Sequence, residues 1–320
     1  MRGFLATGLA VLLGSGVAFA AEILVVPGEG TPLQDAFDQA ADGDTIVIKK
    51  GVYNESVSMS DRSNITIIGK GKVIIDGGDD GDAMAFDNIN GLTISRITVR
   101  NAGDDGIDTS GCQNVLVSKC SFEDCGDSGV EDVTSNGIVI EKCKFTRVSW
   151  GVAISYQNSS GSEGIRISKN TMADVESVGV QFAGNDAVVE KNKMKNVMGD
   201  GIVVDSNSSW TGSTIEKNSI AAGADSGDGI VLNGTDHDVL KNKIMNPGGN
   251  GIDLSGGGMN YLEKNSIKGA GESGIYLPTA NNELVKNKAS GSGNRDLEST
   301  VDEDQNTFEK NKFKTVIFPE

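Results

Sequence analysis

The feature that most constrains the fold is a short motif that returns about every 24 residues through most of the chain. The motif is Lys, then Asn or Cys, then any residue, then a mostly apolar residue, as in Lys169-Asn170-Thr171-Met172. Its copies begin at Lys119, Lys142, Lys169, Lys191, Lys217, Lys241, Lys264, Lys286 and Lys310. A second marker, Gly followed by Ile or Val, recurs out of phase at Gly106, Gly129, Gly151, Gly179, Gly201, Gly229, Gly251 and Gly274. Two markers in fixed phase indicate a repeat protein, in which each repeat packs on its neighbours.

Each period contains short runs that alternate apolar and polar residues, such as residues 92–94 and 97–99. Such runs predict short strands with one buried face, and no period holds an amphipathic stretch of helix length. A unit of this length with two or three strands is one coil of a parallel β-helix, an all-β solenoid. Coils that stack at about 4.8 Å leave room for eleven or twelve of them in residues 45–320, a rod of roughly 50–60 Å.

Composition agrees with this fold and limits the classes of molecule that the protein can bind. The chain has 43 Gly and only 5% aromatic residues, as tight turns in a β repeat require. Its net charge of −17 disfavours nucleic acid and anionic membrane surfaces, because binding to phosphates needs clustered Lys and Arg. By this reasoning a polyanionic partner needs a bridging cation.

The first 20 residues have the three parts of a signal peptide. Arg2 supplies a positive charge, Phe4 to Leu13 form an apolar run too short to cross a bilayer, and Ala18-Phe19-Ala20 fits signal peptidase. A buried N-terminal helix is the alternative. No later run of 18 apolar residues occurs, so we expect no transmembrane segment and an exported protein, periplasmic or extracellular.

Residues 21–44 are predicted to cap the solenoid. Thr31, Pro32 and Gln34 form the pattern of a capping box with Pro at the first helical position, and a short amphipathic helix near residues 31–41 follows. Such a helix would cover the open apolar end of the first coil.

The Asn of the motif is predicted to form an inward ladder, because an amide offers donors and an acceptor to backbone and to the Asn one coil away. The seven positions are Asn170, Asn192, Asn218, Asn242, Asn265, Asn287 and Asn311. The preceding Lys residues are interpreted as a solvated edge, often beside a Glu, rather than as a binding stripe.

The start of the repeat region resembles a known family. Residues 33–36, 43–48 and 51–53 read Leu-Gln-Asp-Ala, Gly-Asp-Thr-Ile-Val-Ile and Gly-Val-Tyr, which is similar to the start of pectin-lyase-like right-handed β-helix proteins. The Gly-Ile and Lys-Asn-x-Ile repeats resemble those shared by polysaccharide lyases, epimerases and periplasmic NosD-like proteins. The resemblance covers about 275 residues, implies a right-handed single-stranded β-helix, and leaves activity open because a fold does not fix a function.

Four cysteines in an exported protein allow two disulfides. Cys120 and Cys143 occupy the same motif position in adjacent coils, within bridging distance, so either a disulfide or two buried thiols fits; Cys112 and Cys125 are not placed. No C-x-x-C occurs and the single His237 has no second soft ligand nearby, which argues against zinc. His237 is predicted to lie in a solvated loop, although its surroundings faintly resemble a motif of alginate epimerases.

The sharpest chemical signal is acidic. A spacing of 23 residues relates Asp82 to Asp105 and Asp108 to Glu131, so stacking gathers Asp82, Asp104, Asp105, Asp108 and Glu131 on one edge. Carboxylates that close repel each other, and a hard cation with six to eight oxygen ligands relieves the repulsion. We therefore expect a Ca²⁺ site; Asp and Gly serving only tight turns is the alternative.

The run Asp104 to Asp108 resembles the calcium-binding segment of family 9 pectate lyases, in which a Lys one coil further on is the base. Glu131 stands at that position here, and Lys142 and Lys144 lie a turn away. The run also resembles part of family 28 polygalacturonases, but Ser128 replaces their His. Both departures count against these activities.

A second acidic track, Asp200, Asp228 and Asn250, precedes the marker Gly in consecutive coils and is interpreted as turn-forming rather than as a hydrolase pair. Five scattered aromatic residues are weak candidates for sugar stacking: Trp150, Tyr156, Trp210, Tyr261 and Tyr276.

The sequence leaves three candidate functions for the protein. The first is an exported protein that interacts with polysaccharide, with calcium-dependent uronate lyase or epimerase-like activity as its catalytic form. The second is a non-catalytic surface scaffold or NosD-like assembly factor, and the third, a glycoside hydrolase, ranks last. The missing Lys base and the net charge favour binding over turnover.

Overall fold

The computed structural model describes residues 20–155, 162–206, 210–223 and 226–319. These form a right-handed parallel β-solenoid of about 12 coils with one α-helix near the N-terminus, which confirms the predicted fold. The predicted signal peptide lies outside the described residues except for Ala20. No helix of the described ranges is both long and apolar enough to cross a membrane.

Within the described ranges, thirty-two strands stack into three parallel faces, and the four longest bend at a corner to serve two faces. Face 1 contains β3 (Val57–Ser60), β5 (Met84–Asp87), β8 (Ile107–Ser110), the ends of β10 (Ser121–Val133) and β12 (Lys144–Ser155), β15 (Val180–Phe182), β18 (Ile202–Val204), β21 (Ile230–Asn233), β24 (Ile252–Gly256), β27 (Ile275–Leu277), β30 (Leu297–Ser299) and β32 (Val316–Ile317). Face 2 contains β1 (Glu22–Val25), the starts of β2 (Thr45–Asn54) and β4 (Ser63–Asp76), β6 (Asn90–Ser95), β9 (Gln113–Ser118), β11 (Asn136–Glu141), β13 (Arg166–Ser168), β16 (Val188–Glu190), β19 (Thr214–Glu216), β22 (Asp238–Leu240), β25 (Tyr261–Glu263), β28 (Glu283–Val285) and β31 (Thr307–Glu309). Face 3 contains the ends of β2 and β4, β7 (Thr98–Arg100), the starts of β10 and β12, β14 (Thr171–Val175), β17 (Lys193–Val197), β20 (Ser219–Ala222), β23 (Lys243–Met245), β26 (Ser266–Lys268) and β29 (Lys288–Ser290).

Columns of apolar side chains fill the inside of the solenoid. Ile167, Val189, Ile215, Val239 and Leu262 are register partners on five successive coils of face 2, and each is 0% exposed. Each such side chain contributes roughly 1.5–3 kcal/mol of transfer free energy relative to an exposed one. The alternation seen in the sequence therefore reports which residue of each short strand points inward.

The N-terminal cap is α1 (Pro32–Gln39), which buries Phe37 against Phe86 of the solenoid with ring centroids 6.0 Å apart. The predicted capping box is wrong. The Thr31 side chain caps no backbone group, and the carboxylate of buried Glu55 instead accepts hydrogen bonds from the N–H groups of Leu33 and Gln34, at 3.0–3.2 Å. A carboxylate from the adjoining coil replaces the local cap because it satisfies two donors and complements the helix dipole.

The corner between faces 2 and 3 carries the asparagine ladder. Asn192 is representative: its Oδ1 accepts the backbone N–H of Asn170 at 2.9 Å, and its Nδ2 donates to the Ile167 carbonyl at 2.8 Å and to Asn218 Oδ1 at 3.1 Å. The same bonds link the seven predicted asparagines from Asn170 to Asn311. The ladder satisfies backbone groups that the corner removes from the strand hydrogen bonding.

The residue before each ladder position has a left-handed backbone, with φ between 53° and 61°. We call these ten exposed residues the lysine column: Arg96, Lys119, Lys142, Lys169, Lys191, Lys217, Lys241, Lys264, Lys286 and Lys310. Five of the lysines bind the Glu that precedes them, for example Lys264 Nζ and Glu263 Oε1 at 2.6 Å. The pairing with Glu follows the sequence interpretation, whereas the left-handed backbone was not foreseen.

All four cysteines are free, buried thiols. Of the two predicted alternatives for Cys120 and Cys143, the structure therefore has two buried thiols and not a disulfide. Cys143 acts as a ladder member, because its N–H donates to Asn170 Oδ1 at 2.8 Å and its Sγ lies 3.6 Å from the Val117 carbonyl. Hydrogen bonding with Cys120 and burial raise the pKa of the Cys143 thiol. A thiol that donates to the carbonyl of the preceding coil replaces the Asn amide there.

The corner between faces 1 and 2 has a ladder of mixed residue types, and it corrects the prediction for His237. His237 is 0% exposed, and its Nδ1 accepts the N–H of Ser213 at 3.2 Å. Its Nε2 lies 3.1 Å from the Asn233 carbonyl, to which it donates, and its backbone N–H donates to Asn260. Burial lowers the pKa of His237, so it is a neutral structural residue rather than a loop residue.

Candidate functional site

The corner between faces 3 and 1 carries a third ladder, built from the residue two positions before each face 1 strand. Asp82 Oδ1 accepts the N–H of Asp105 at 3.1 Å, and Asp105 Oδ1 accepts that of Ser128 at 2.7 Å. Further along, Asp200 Oδ1 accepts the N–H of Asp228 at 2.6 Å. Asp228 and Asn250 each accept the next N–H in turn. Asp82 and Asp105 of the first acidic track therefore share one column with Asp200, Asp228 and Asn250, and one side-chain oxygen of each has a structural role.

The five acidic residues predicted from the 23-residue spacing lie on adjoining coils. Carboxylate oxygens of Asp82, Asp104 and Asp105 lie within 4.8 Å of one another. Asp108 and Glu131 are direct register partners on β8 and β10. We call these five residues the acidic cluster. Asp105 is only 3% exposed, while Asp104 is exposed and offers its carboxylate to solvent.

The electrostatics of the acidic cluster are those of crowded carboxyl groups. Burial, a side-chain hydrogen bond with Glu131 and the charges of Glu131 and Asp82 raise the pKa of Asp105 to about 9. Burial and four neighbouring carboxylates raise the pKa of Asp108 to about 7. At neutral pH Asp105 therefore holds a proton, which a bound cation would displace.

The cluster fits a hard cation. Ligand oxygens of calcium lie 2.3–2.6 Å from the ion, so two of them are at most about 5.2 Å apart, and the spacing of Asp82, Asp104 and Asp105 meets this limit. The ladder occupies Oδ1 of Asp82 and of Asp105 and leaves Oδ2 of each without a ladder bond. Three carboxylates with Asp108 beside them supply the oxygen donors that calcium prefers.

A groove of about 530 Å³ adjoins the cluster, with Asp108 on its wall between α1 and the first coils of face 1. Asp38, Asp61 and Asp87 also line it. The single cation among the lining residues, Arg62, donates to backbone carbonyls rather than to these carboxylates. The volume is within the range of ligand sites, and the groove is acidic.

Several other residues of the sequence analysis lie apart from this groove. Lys142 and Lys144 are at the corner between faces 2 and 3, so neither serves as a base at the cluster. Trp210 is buried, Trp150, Tyr261 and Tyr276 are half-buried, and Tyr156 lies outside the described residues. No aromatic platform for sugar rings forms among these described residues.

One acidic residue near the site was missed. Asp132 is 0% exposed, accepts a hydrogen bond from Thr109 Oγ1 at 2.7 Å, and is bonded by the N–H of Ser135 at 3.3 Å. Burial raises its pKa to about 6. An acidic residue at an inward position of a strand was the available signal, since alternation from Val130 requires an apolar side chain there.

Fold and groove together define a right-handed parallel β-helix protein with an acidic cleft beside face 1. The chain belongs to the right-handed β-helix family, whose description is right handed beta helix region and which matches residues 82–228 and 228–316. No curated protein matches the sequence.

Solved structures share the fold at low sequence identity. ORF18 of Geobacillus virus E2 is 12% identical with a TM-score of 0.62, over 93% of this chain and 61% of the viral protein, so this chain spans about three fifths of it. The catalytic unit of an alpha-1,3-glucanase from Streptomyces thermodiastaticus is 13% identical with a TM-score of 0.58, over 94% and 70%. An alginate lyase from Paenibacillus is 16% identical with a TM-score of 0.51, over 92% and 99%.

Proposed function

We propose that this protein binds an acidic polysaccharide through a calcium ion held by the acidic cluster, with Asp82, Asp104 and Asp105 as ligands and Asp108 and Glu131 beside them. The observation that carries the proposal is the approach of three carboxylates to within 4.8 Å of one another. Asp108 of the same cluster lines the adjoining groove. Several proteins with this fold are named for action on polysaccharides, which agrees with the class of partner.

A calcium ion gives the cleft the charge that a uronate needs. The cluster repels a carboxylated sugar because its carboxyl groups are neutral or negative and the cleft has only Arg62 as a cation. A bound Ca²⁺ neutralises part of this charge and keeps open coordination positions for a uronate oxygen. A site of this kind works where calcium is millimolar, as with extracellular calcium modules, and the proposal therefore includes export.

A further question is whether the protein also cleaves or epimerises the polysaccharide that it binds. A uronate lyase or epimerase needs a base beside the bound sugar, and Glu131 rather than a Lys stands at the position expected for it. The absence of a cationic base favours a binding protein or surface scaffold, which is the alternative function. Hydrolysis has one supporting observation: the pKa of Asp108, about 7, is that of a general acid beside other carboxylates.

The test compares Asp105→Asn with Asp228→Asn, two variants at the same ladder position. The chain itself uses Asn at this position, at Asn250, so both variants retain the ladder acceptor. We expect Ca²⁺ to raise the unfolding free energy of chelator-stripped wild type and of Asp228→Asn by roughly 2.7 kcal/mol at a hundredfold excess over Kd, and to leave Asp105→Asn unchanged.

Ca²⁺ should then strengthen polygalacturonate binding by wild type over the binding measured in a chelator, and Asp105→Asn should lose this calcium-dependent increase. Absorbance of unsaturated uronate would reveal a lyase, and new reducing ends without unsaturation would reveal a hydrolase. Wild-type melting that does not respond to millimolar Ca²⁺ would show that the cluster has only its ladder role.

A further inference from the structure

A second charged surface lies at the corner between faces 2 and 3, opposite in sign to the cleft. The lysine column places one cation on each of ten successive coils, about 4.8 Å apart. The adjoining first row of face 3 adds five more, which are Lys144, Lys193, Lys243, Lys288 and Lys312. These rows hold 15 of the chain's 28 Lys and Arg, against five Glu on the row before the column.

Among the described residues, the coils without such a Glu have no ion pair within the coil at the column, and their lysines interact only with the Glu of a neighbouring coil. Ser118, Ser168 and Leu240 stand where a Glu would be, before Lys119, Lys169 and Lys241. Near the N-terminal end the side chains enclose a basic groove of about 410 Å³, lined by Lys72, Arg96, Lys119, Lys142 and Lys144. The corner is therefore locally positive on a chain of net charge −17.

The backbone shows that the cations are costly at these positions. A left-handed φ favours Gly, Asn and Asp, and costs roughly 1 kcal/mol for a longer side chain. Other left-handed corners of this chain mostly use the favoured types, for example Asn101, Asp124, Asp174 and Asn246. The lysine column uses Lys or Arg at all ten positions, although the Asn ladder beside it performs the structural work of the corner. Backbone strain that recurs at the same position in every coil, and that the corner does not require for its hydrogen bonding, is typical of a functional surface.

We propose that the lysine column and the first row of face 3 bind a linear acidic polysaccharide that runs along the rod, without a bridging cation and separately from the acidic cleft. A straight row of evenly spaced cations complements a polymer with a negative charge on successive units rather than a compact anion. Hydroxyl groups alternate with lysines on face 3, as at Ser121, Thr171 and Ser219, and offer hydrogen bonds to sugar hydroxyls.

A single-stranded nucleic acid fits this surface less well. Such partners bind through stacking on aromatic side chains as well as through charge, and both rows consist of Lys, Arg, Ser and Thr at their described positions. At physiological salt the Debye length is about 8 Å, so acidic residues on the other faces are largely screened from a chain lying on this corner.

The test uses full-length protein in a chelator, which removes any calcium-dependent binding at the cleft. The variant Lys119→Asn with Lys169→Asn removes two cations that are preceded by Ser rather than Glu, and installs a residue type that the left-handed backbone prefers. The control, Arg147→Asn with Arg295→Asn, removes equal charge elsewhere, and Arg147 is also left-handed, with φ 54°. Binding of polygalacturonate, dextran and poly(dT) is measured by affinity electrophoresis and titration.

We expect wild type and control to bind polygalacturonate with affinity that falls as salt rises, and not to bind dextran. The lysine variant should bind roughly thirtyfold more weakly, because each cation facing a polyanion contributes about a fivefold factor, while its melting temperature does not fall. No binding by wild type in chelator, an equal loss in the control, or tighter binding of poly(dT) would each overturn the proposal. None of these results bears on the calcium-dependent site.

Discussion

Substitution of one asparagine in the middle of the ladder tests whether buried amides hold the coils together. Asn218 is 1% exposed; its Oδ1 accepts from Asn192 N–H at 2.9 Å and from Asn192 Nδ2 at 3.1 Å. Its Nδ2 donates to the Val189 carbonyl at 2.8 Å and to Asn242 Oδ1 at 3.1 Å. Asn218→Ala removes all four bonds and leaves at least two backbone groups buried without these partners.

The expected loss follows from that count. A buried polar group left unsatisfied costs about 1–3 kcal/mol, so two backbone groups predict a loss of roughly 2–6 kcal/mol in the free energy of unfolding. Asn311 is the matched control, because it ends the ladder and is only half-buried. Water can replace its partners there, so Asn311→Ala should cost about 1 kcal/mol or less.

Urea unfolding followed by circular dichroism measures both variants. Repeat proteins open in parts, so hydrogen exchange should also show faster opening of the coils around residue 218 than of those near the N-terminal cap. Equal losses in the two variants, or a loss below about 1 kcal/mol for Asn218→Ala, would contradict the ladder argument, because they would show that the corner retains its hydrogen bonding without the amide.

Three further predictions concern the glycine marker, the cap and pH. Gly201→Ala places a Cβ 2.4 Å from the Gly229 carbonyl oxygen and should cost about 1–3 kcal/mol in thermal or urea unfolding, whereas Gly28→Ala meets nothing within 4 Å and should be neutral. Glu55→Ala removes the acceptor for two N–H groups of α1 and should cost about 1–2 kcal/mol, seen as an earlier melting transition. Burial raises the pKa of Asp228 to about 7, above the value of an unfolded Asp, so the folded state holds the extra proton. Its contribution to stability is therefore lost as pH rises from about 4 to 7, and Asp228→Asn should flatten that part of the urea-stability profile.

The repeat made most of the fold predictable. One period fixes the coil length, and because stacking is parallel, a difference of one period in sequence becomes a register partner in space. For this reason the spacing between Asp108 and Glu131 predicts direct neighbours, and the ladder from Asn170 to Asn311 can be recognised in the amino-acid sequence itself. A feature that returns once in every period can be recognised from a single sequence, because the repeat itself shows which residues become neighbours.

Features that do not repeat could not be predicted from the sequence. Glu55 caps α1 from another coil, and nothing in the sequence links it to Leu33. The ladder containing His237 uses side chains of different types, Ser135, His237 and Asn260, as acceptors for the N–H of the preceding coil, since any side chain with an acceptor at the right height serves the corner. Without a common residue type the pattern cannot be seen, and an isolated His then resembles a loop residue.

The net charge was the sequence property that said least about binding partners, because a solenoid separates its charges into columns. A compact domain mixes its side chains over a surface, whereas stacking sorts each sequence position into its own column along the rod. Lys119 and Lys169 thereby join one basic corner, and Asp82 and Asp105 join an acidic one, although the total charge is −17. Since charges beyond about 8–10 Å are screened at physiological salt, a partner lying on one corner is governed by that column rather than by the sum. The total charge therefore limits partners that wrap the whole rod, while a linear polymer along one edge depends on the column alone.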